Sequence, residues 1–178
     1  LRPSIIFGTE DQFFNRFAGM TGLSPFLPVV GPETRFQPVY VDDVAQAAVK
    51  GVMGQAKPGI YELGGPQVAS FRDLMTTMLG IIRRRRLVIG VPFWIATLMG
   101  LGFDLLNTLS FGLIKGPITR DQVRNLRSDN VVSEGIMSFA DLGISPTALE
   151  VILPDYLWRF RDSGQYADIK ESAAQLKD

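Results

Sequence analysis

"RFQPVYVDDVAQAAVKGVMG", Arg35 to Gly54, changes its hydrophobic period part-way along, and that change decides the fold class. Arg35 to Val41 has the β-branched and aromatic content of a short strand. From Asp42 onward Ala45, Ala48, Val49 and Val52 recur at helical spacing and predict one inward face. Asp42 or Asp43 is expected to accept a hydrogen bond from the unpaired amides of the first helical turn, and Gly54 is a natural stop. The adjacent carboxylates could instead bind a cation or share a proton. Neighbouring helix-start residues point in different directions, however, which favours capping. A strand that runs directly into a helix is the repeating unit of α/β folds.

The same alternation extends both ways from this segment. Upstream, "SIIF" (Ser4 to Phe7) reads as a buried strand closed by Gly8. "EDQFFNRFAGM" follows as a helix with Phe13, Phe14 and Phe17 on one side and acids in its first turn. "LSPFLPVVGPE" reads as a proline-broken loop. Downstream, a strand is expected at Ile60 to Leu63, then a helix opening at Ser70 with Asp73 placed for a capping box. Strand and helix in this order imply α/β architecture with some parallel pairing. The later sequence changes character. "RRRRLVIGVP" is a basic cluster leading into a strand, and "FWIATLMGLGFDLLNTL" is an apolar helix. "ITRDQVRNLRSD" is a polar helix with Val123 and Leu126 as its thin apolar face. A Gly-Ile-Ser-Pro turn then leads to a helix with Leu149, Ile152 and Leu153 inward, and a polar tail closes the chain.

Composition removes several kinds of chemistry. The 178 residues are 46% hydrophobic and 20% charged, enough to bury a sizeable core. Formal net charge is zero, which argues against bulk binding to nucleic acid. With no Cys there is no disulfide, thiolate nucleophile or thiolate metal site, and with no His the usual serine triads and zinc sites are excluded. Chemistry would therefore run on Tyr, Lys, Ser, Arg, carboxylates or a bound cofactor. The opening residues lack a basic n-region and a small-residue cleavage site, so no secretory signal is read and the protein is expected not to be secreted.

Two further stretches invite a functional reading. "YADIK" places Tyr166 and Lys170 on one helical face, where an ammonium lowers a phenol's pKa for proton transfer. It lies in the polar tail, and an exposed tail is the preferred reading. No catalytic residue and no metal ligand are assigned. "RRRR", Arg83 to Arg86, precedes a run from Leu87 to Phe103 with no charge. That run is short of the roughly 20 residues a membrane span needs, and Pro92 interrupts it. A core strand and core helix are the leading reading. Peripheral docking of the basic cluster and apolar stretch on anionic lipid or a partner is the alternative.

Taken in chain order, several segments resemble the downstream part of extended short-chain dehydrogenases/reductases, the NAD-dependent epimerase/dehydratase type. "LRPSIIFG" is similar to that family's R-P-x-x-x-[YF]-G segment, which follows its catalytic Tyr and Lys. "PVYVDDVAQA" is similar to V-H-V-D-D-V-A-x-A, with Tyr40 where His is usual, and "GIYELGGPQVASFRDL" to the strand Y-N-[LI]-G-G-P-E and the helix after it. Together these cover Leu1 to about Leu74. Over nearly the whole chain, "RFQPVYVDDVA", "ITRDQVRNLRSDNVV", "FADLGISPTALE" and "LPDYLWRFR" resemble the family of NADPH-binding accessory subunits of respiratory complex I and their bacterial relatives.

The resemblance implies an α/β chain that is the C-terminal portion of a Rossmann-like fold with a small, mostly helical substrate-type subdomain. Residues 1–80 are then a remnant of the Rossmann-type domain with inserted substrate-region segments, 81–160 the strand and helices of the subdomain, and 161–178 a polar tail. The implied function is a non-catalytic NAD(P)(H)-binding accessory role beside other subunits of a membrane respiratory complex, on the matrix or cytoplasmic side. The alternative is an NAD(P)-dependent epimerase, dehydratase or reductase acting on a sugar nucleotide or another small polar substrate. Arg35 lies one residue too early to serve as the pyrophosphate-binding Arg of such enzymes, and strand geometry turns it to the other face. Pro3, Ser4, Ile5 and Ile6 are carried over as the cofactor-binding loop, whose backbone passes the nicotinamide ring; Ile5 and Ile6 could equally be plain strand core. No G-x-G-x-x-G follows a strand. The phosphate-gripping half is therefore expected to be missing. The chain alone is expected to be inactive, to bind NADP(H) or NAD(H) weakly or not at all, and to self-associate through an uncovered sheet edge.

Overall fold

In the computed structural model, which describes residues 1–109, 120–162 and 164, the single strand expected over Ser4 to Phe7 is divided in two. β1 (Arg2–Pro3) and β2 (Ile6–Phe7) flank a bend. β1 runs parallel to β6 (Glu62–Leu63), and β2 runs parallel to β5 (Val39–Tyr40). Ser4 accounts for the division. Its N–H still donates to Leu63 O at 2.9 Å, but its hydroxyl donates to Asn130 O at 2.8 Å, holding the chain in a bend. The stretch Arg35 to Val41 divides likewise. β4 (Arg35–Phe36) pairs antiparallel with β7 (Ala69–Ser70), and Pro38, which has no N–H to offer a ladder, separates it from β5.

Among the described residues, three of the four strand pairs are parallel. Parallel partners need crossovers, and helices supply them. α1 (Phe14–Met20) lies between β2 and β3 (Phe26–Val30), α2 (Val41–Val52) between β5 and β6, and α3 (Phe71–Ile81) between β7 and β8 (Leu87–Val91). The α/β class read from the sequence is the class observed.

β3 corrects the expected proline-broken loop: Phe26 to Val30 pairs in parallel with β8, Pro28 opposite Ile89. Leu87 N donates to Pro25 O at 3.1 Å, so alternate peptides from Pro25 onward face β8 and Pro28's nitrogen faces away. A proline at that phase loses no ladder bond.

α2 corrects two expectations. Its N-cap residue is Tyr40, and no side chain caps it. Asp42 instead accepts the Tyr40 hydroxyl at 2.9 Å, while buried Asp43 accepts Thr147 N–H at 2.6 Å and Thr147 Oγ1–H at 3.2 Å. The predicted inward face is the outward one. Val49 and Val52 are 60% and 87% exposed and Ala45 and Ala48 are exposed, whereas Asp43 and Ala47 are buried. α3 follows expectation, with the reciprocal Ser70–Asp73 capping box formed.

The larger core gathers Phe7, Phe14, Leu27, Phe36, Phe71 and Leu153 among others, joining β2, α1, β3, β4, α3 and α6 (Leu149–Leu157). A second cluster around Val39, Tyr61, Leu63 and Phe139 seats α2 against β5 and β6. α4 (Phe93–Leu109) and α5 (Arg120–Asn125) complete the described helices, with Val123 buried as expected. Within α6, Leu149 and Leu153 are buried and Ile152 is half-buried, the face expected.

One long-range polar contact ties α1 to α6 and makes stability depend on pH. Asp11 caps α1 by accepting Phe14 N–H at 2.6 Å, and its other oxygen accepts the Tyr156 hydroxyl. Burial, then the hydrogen bond to Asp11 and its charge, raise the Tyr156 pKa well above the ordinary phenol value. A raised folded pKa means the unfolded chain gives up this proton first. The contribution is thus complete below about pH 10 and is lost as pH rises beyond it. Tyr156→Phe is expected to cost about 1.5–3 kcal/mol at neutral pH and to flatten the fall in melting temperature above about pH 10. Thermal melts across alkaline pH check this; parallel alkaline limbs in both proteins would refute it.

Candidate functional site

Ligands of open parallel sheets gather at the carboxyl ends of the strands, and here β1 and β6 end together. β1 leads into Ser4 to Ile6 and β6 into Gly64–Gly65. The segment Gln37–Pro38 crosses between them, so close that a Cβ at Gly65 would lie 2.0 Å from Pro38 O. Only glycine permits this approach.

Gln37 is the hub of the crossing. Its N–H donates to Asn130 O at 3.1 Å and to Ser4 Oγ at 3.3 Å. Its side-chain amide donates to Gly65 O at 2.8 Å, and its side-chain oxygen accepts Val132 N–H at 3.0 Å. A cleft of about 640 Å³ opens beside Gln37, Gly64, Gly65 and Phe139. Sequence reading did not single out Gln37. The available signal was an amide side chain between two short strand fragments, immediately before a proline.

None of the four predicted cofactor-loop residues lines this cleft; Ser4 meets its edge only through Gln37, and the four have differing surroundings. Pro3 is half-buried, Ser4 is buried with its N–H and hydroxyl both engaged, and Ile5 packs against the larger core. Ile6 is 39% exposed and gives the loop its open apolar surface. Arg35 is held by Asp129, whose carboxylate accepts Arg35 N–H at 2.8 Å and Arg35 Nε–H at 2.9 Å. Those hydrogen bonds keep the Asp129 carboxyl below the usual carboxylate range. Glu62 is lowered too, by accepting Ser133 N–H at 2.8 Å. At the position where the family resemblance expects His, Tyr40 is raised by its hydrogen bond to Asp42. Ser4, Gln37 and Glu62 are thus held by the main chain. The arrangement fixes backbone and presents an apolar surface.

The remaining candidates fall elsewhere. Tyr166 and Lys170 lie outside the described residues. Arg83 to Arg86 connect α3 to β8. Trp94 and Leu98 of α4 are 65% and 60% exposed, and among the described residues no helix is long and apolar enough to cross a membrane.

No protein-family model matches the chain. Curated relatives do. It is 35% identical over 92% of its length to "NADH dehydrogenase [ubiquinone] 1 alpha subcomplex subunit 9, mitochondrial" of Arabidopsis thaliana, covering 42% of that protein. The chain is homologous to the subunit 9 proteins. The subunit 9 of Mus musculus is 29% identical over 90% of the chain, again with 42% of its own length covered. The chain thus spans about two fifths of the length of the curated relatives it matches. Among solved structures, an NAD-dependent NDP-hexosamine 5,6-dehydratase involved in tunicamycin biosynthesis superposes with a TM-score of 0.55 at 15% identity, over 90% of this chain and 45% of the dehydratase. That likeness bears on the fold: the Rossmann-like architecture of extended short-chain dehydrogenases is shared.

Proposed function

We propose that the chain belongs to a nicotinamide-nucleotide-holding accessory protein of the complex I type, and that it flanks the nucleotide rather than gripping its phosphates. The observation that carries this is the 35% identity to the Arabidopsis subunit 9 protein along 92% of the chain. The site supports holding over turnover. Pro3 ends β1 and Ile6 opens β2, and the two offer apolar surface at the bend between these strands, which suits a flat nicotinamide ring. The polar groups nearest it are engaged by the main chain. A dinucleotide's diphosphate needs a glycine-rich turn at a helix N-terminus, and the sequence holds no G-x-G-x-x-G. The residues present therefore fit the nicotinamide end of NADP(H) or NAD(H) and not the diphosphate.

In this proposal the diphosphate falls to the additional length the relatives carry, and that length packs on the outward apolar face of α2, around Val41, Val49 and Val52. Residues 1–80 supply the Rossmann-type segment and 81–160 the subdomain. Exposed Trp94 and Leu98, following the Arg83–Arg86 cluster in the chain, suit peripheral contact with an anionic membrane surface next to other subunits. A tagged copy imported into Arabidopsis mitochondria is expected to migrate with complex I on native gels. Calorimetry of the chain alone is expected to show no micromolar NADPH affinity. Migration only as free protein overturns the complex I assignment. Micromolar NADPH binding overturns the division of the nucleotide.

A further inference from the structure

We infer that the groove where α3 hands over to β8 binds a phosphoryl group, carried either by a soluble phosphate compound or by a lipid headgroup. The groove encloses about 880 Å³ and is lined by Arg83 to Arg86 with Thr76, Gly80 and the apolar Leu87 among its other walls. Its construction goes beyond a solvated charge run in three respects.

First, Arg83 occupies a left-handed backbone conformation, φ 54°, the only non-glycine residue at positive φ among those described. It is the turn residue that ends α3, with Arg83 N–H donating to Gly80 O at 3.2 Å and Arg84 N–H donating to Leu79 O at 3.1 Å. Glycine is the residue this position favours. An arginine there is retained against steric preference, and strain of this kind concentrates at functional sites.

Second, two of the four guanidinium groups, those of Arg84 and Arg86, are fixed in place. Arg84 Nη2 lies 3.0 Å from Asp162 Oδ1, and Arg84 Nη1 donates to Thr21 Oγ1 at 3.3 Å. Arg86 Nε donates to Thr21 O at 2.8 Å, and its Nη1 donates to Arg85 O at 2.9 Å. Fixed guanidinium forks match tetrahedral oxyanions and give up little freedom on binding them. Arg84 Nε, moreover, is buried without an acceptor among the described residues.

Third, the helix end does not compete for these donors with bare carbonyls. Leu79 O and Gly80 O are occupied by the turn, and Ile81 O accepts Arg161 Nε–H at 3.0 Å. The favourable dipole of a helix C-terminus toward cations remains and helps hold the cluster together. Several guanidinium groups in one groove select a dianion over a single carboxylate. A groove confined to one helix end, on a chain of zero formal net charge, fits a compact phosphoryl group better than a nucleic-acid track.

The test compares the chain with Arg83→Gly/Arg85→Ala and with Arg85→Ala alone. Arg83→Gly puts the favoured residue at positive φ, so the fold is retained. Two probes are used at constant ionic strength: inorganic pyrophosphate, read as a rise in melting temperature, and phosphatidylcholine vesicles with and without phosphatidic acid, read by co-sedimentation. The unaltered chain is expected to respond to at least one probe, and the double variant to bind that probe about tenfold more weakly. Response to pyrophosphate alone assigns a soluble ligand. Vesicle binding that needs phosphatidic acid and is displaced by pyrophosphate assigns a headgroup. Response to neither probe, or equal response in the double variant, overturns the inference. None of these outcomes depends on the complex I assignment.

Discussion

Gly65→Ala is expected to lower the melting temperature by about 6–12 °C, from a loss of about 3 kcal/mol or more. The new methyl would meet a backbone carbonyl, Pro38 O at 2.0 Å, and not the yielding end of a side chain. Relief requires separating the Gly64–Gly65 turn from the 37–38 crossing. That would also break the Gln37 side-chain bond to Gly65 O and the Gly65 N–H bond to Gln37 O. β1 and β6 end at this crossing, so the loop from Pro3 to Ile6 would shift with it. Gly51→Ala is the matched control. It sits inside α2 with nothing within 4 Å of the added carbon, and alanine there should raise stability by about 0.5–1 kcal/mol. If the two variants melt alike, the close crossing does not hold in solution.

The contrast between these glycines also shows which parts of the fold local sequence could convey. α3 was legible because its signals are local: Ser70 and Asp73 are three residues apart and satisfy each other. Periodicity revealed that α2 is a helix but not which way it faces. Its apolar stripe of Val49 and Val52 points outward, while Asp43 is buried because Thr147, far along the chain, offers both an amide and a hydroxyl. A period records that a helix has a distinct side. It does not record whether the covering partner lies in the same stretch of chain. β3 was missed for a related reason. Proline is excluded from a ladder only at one of two phases, and phase is fixed by a partner strand that begins at Leu87. The candidate site was legible only as a resemblance. The loop from Pro3 to Ile6 could be placed by resemblance, but the Ser4 hydroxyl reaches a carbonyl at Asn130 across most of the chain, and no local pattern announces that contact.

Phe71→Ala should be the most damaging single truncation in the described core, at about 3–5 kcal/mol, or about 6–20 °C in melting temperature for a chain of this size. Phe71 is 2% exposed and opens α3, where its N–H donates to Thr34 O at 2.9 Å. Its ring stacks on Phe13 at 5.3 Å and meets Phe17 and Phe36 edge-to-face at 5.3 and 5.6 Å. Those neighbours stand just before α1, in α1 and in β4, so one side chain joins three elements that the sequence separates. Removing it forfeits the transfer energy and also the ring-edge contacts, which add about 0.5–1.5 kcal/mol per pair. The cavity would be walled by rigid rings held from three directions, so collapse can recover little of the loss. Phe71→Leu keeps most of the volume and should cost less than half as much, which separates the packing term from any effect on the α3 N-terminus. Urea unfolding should show the midpoint falling for both variants with the slope unchanged. A loss under about 1 kcal/mol for Phe71→Ala would mean that the rings close over the gap, and that the aromatic cluster does not join α1, β4 and α3 in the way these distances imply.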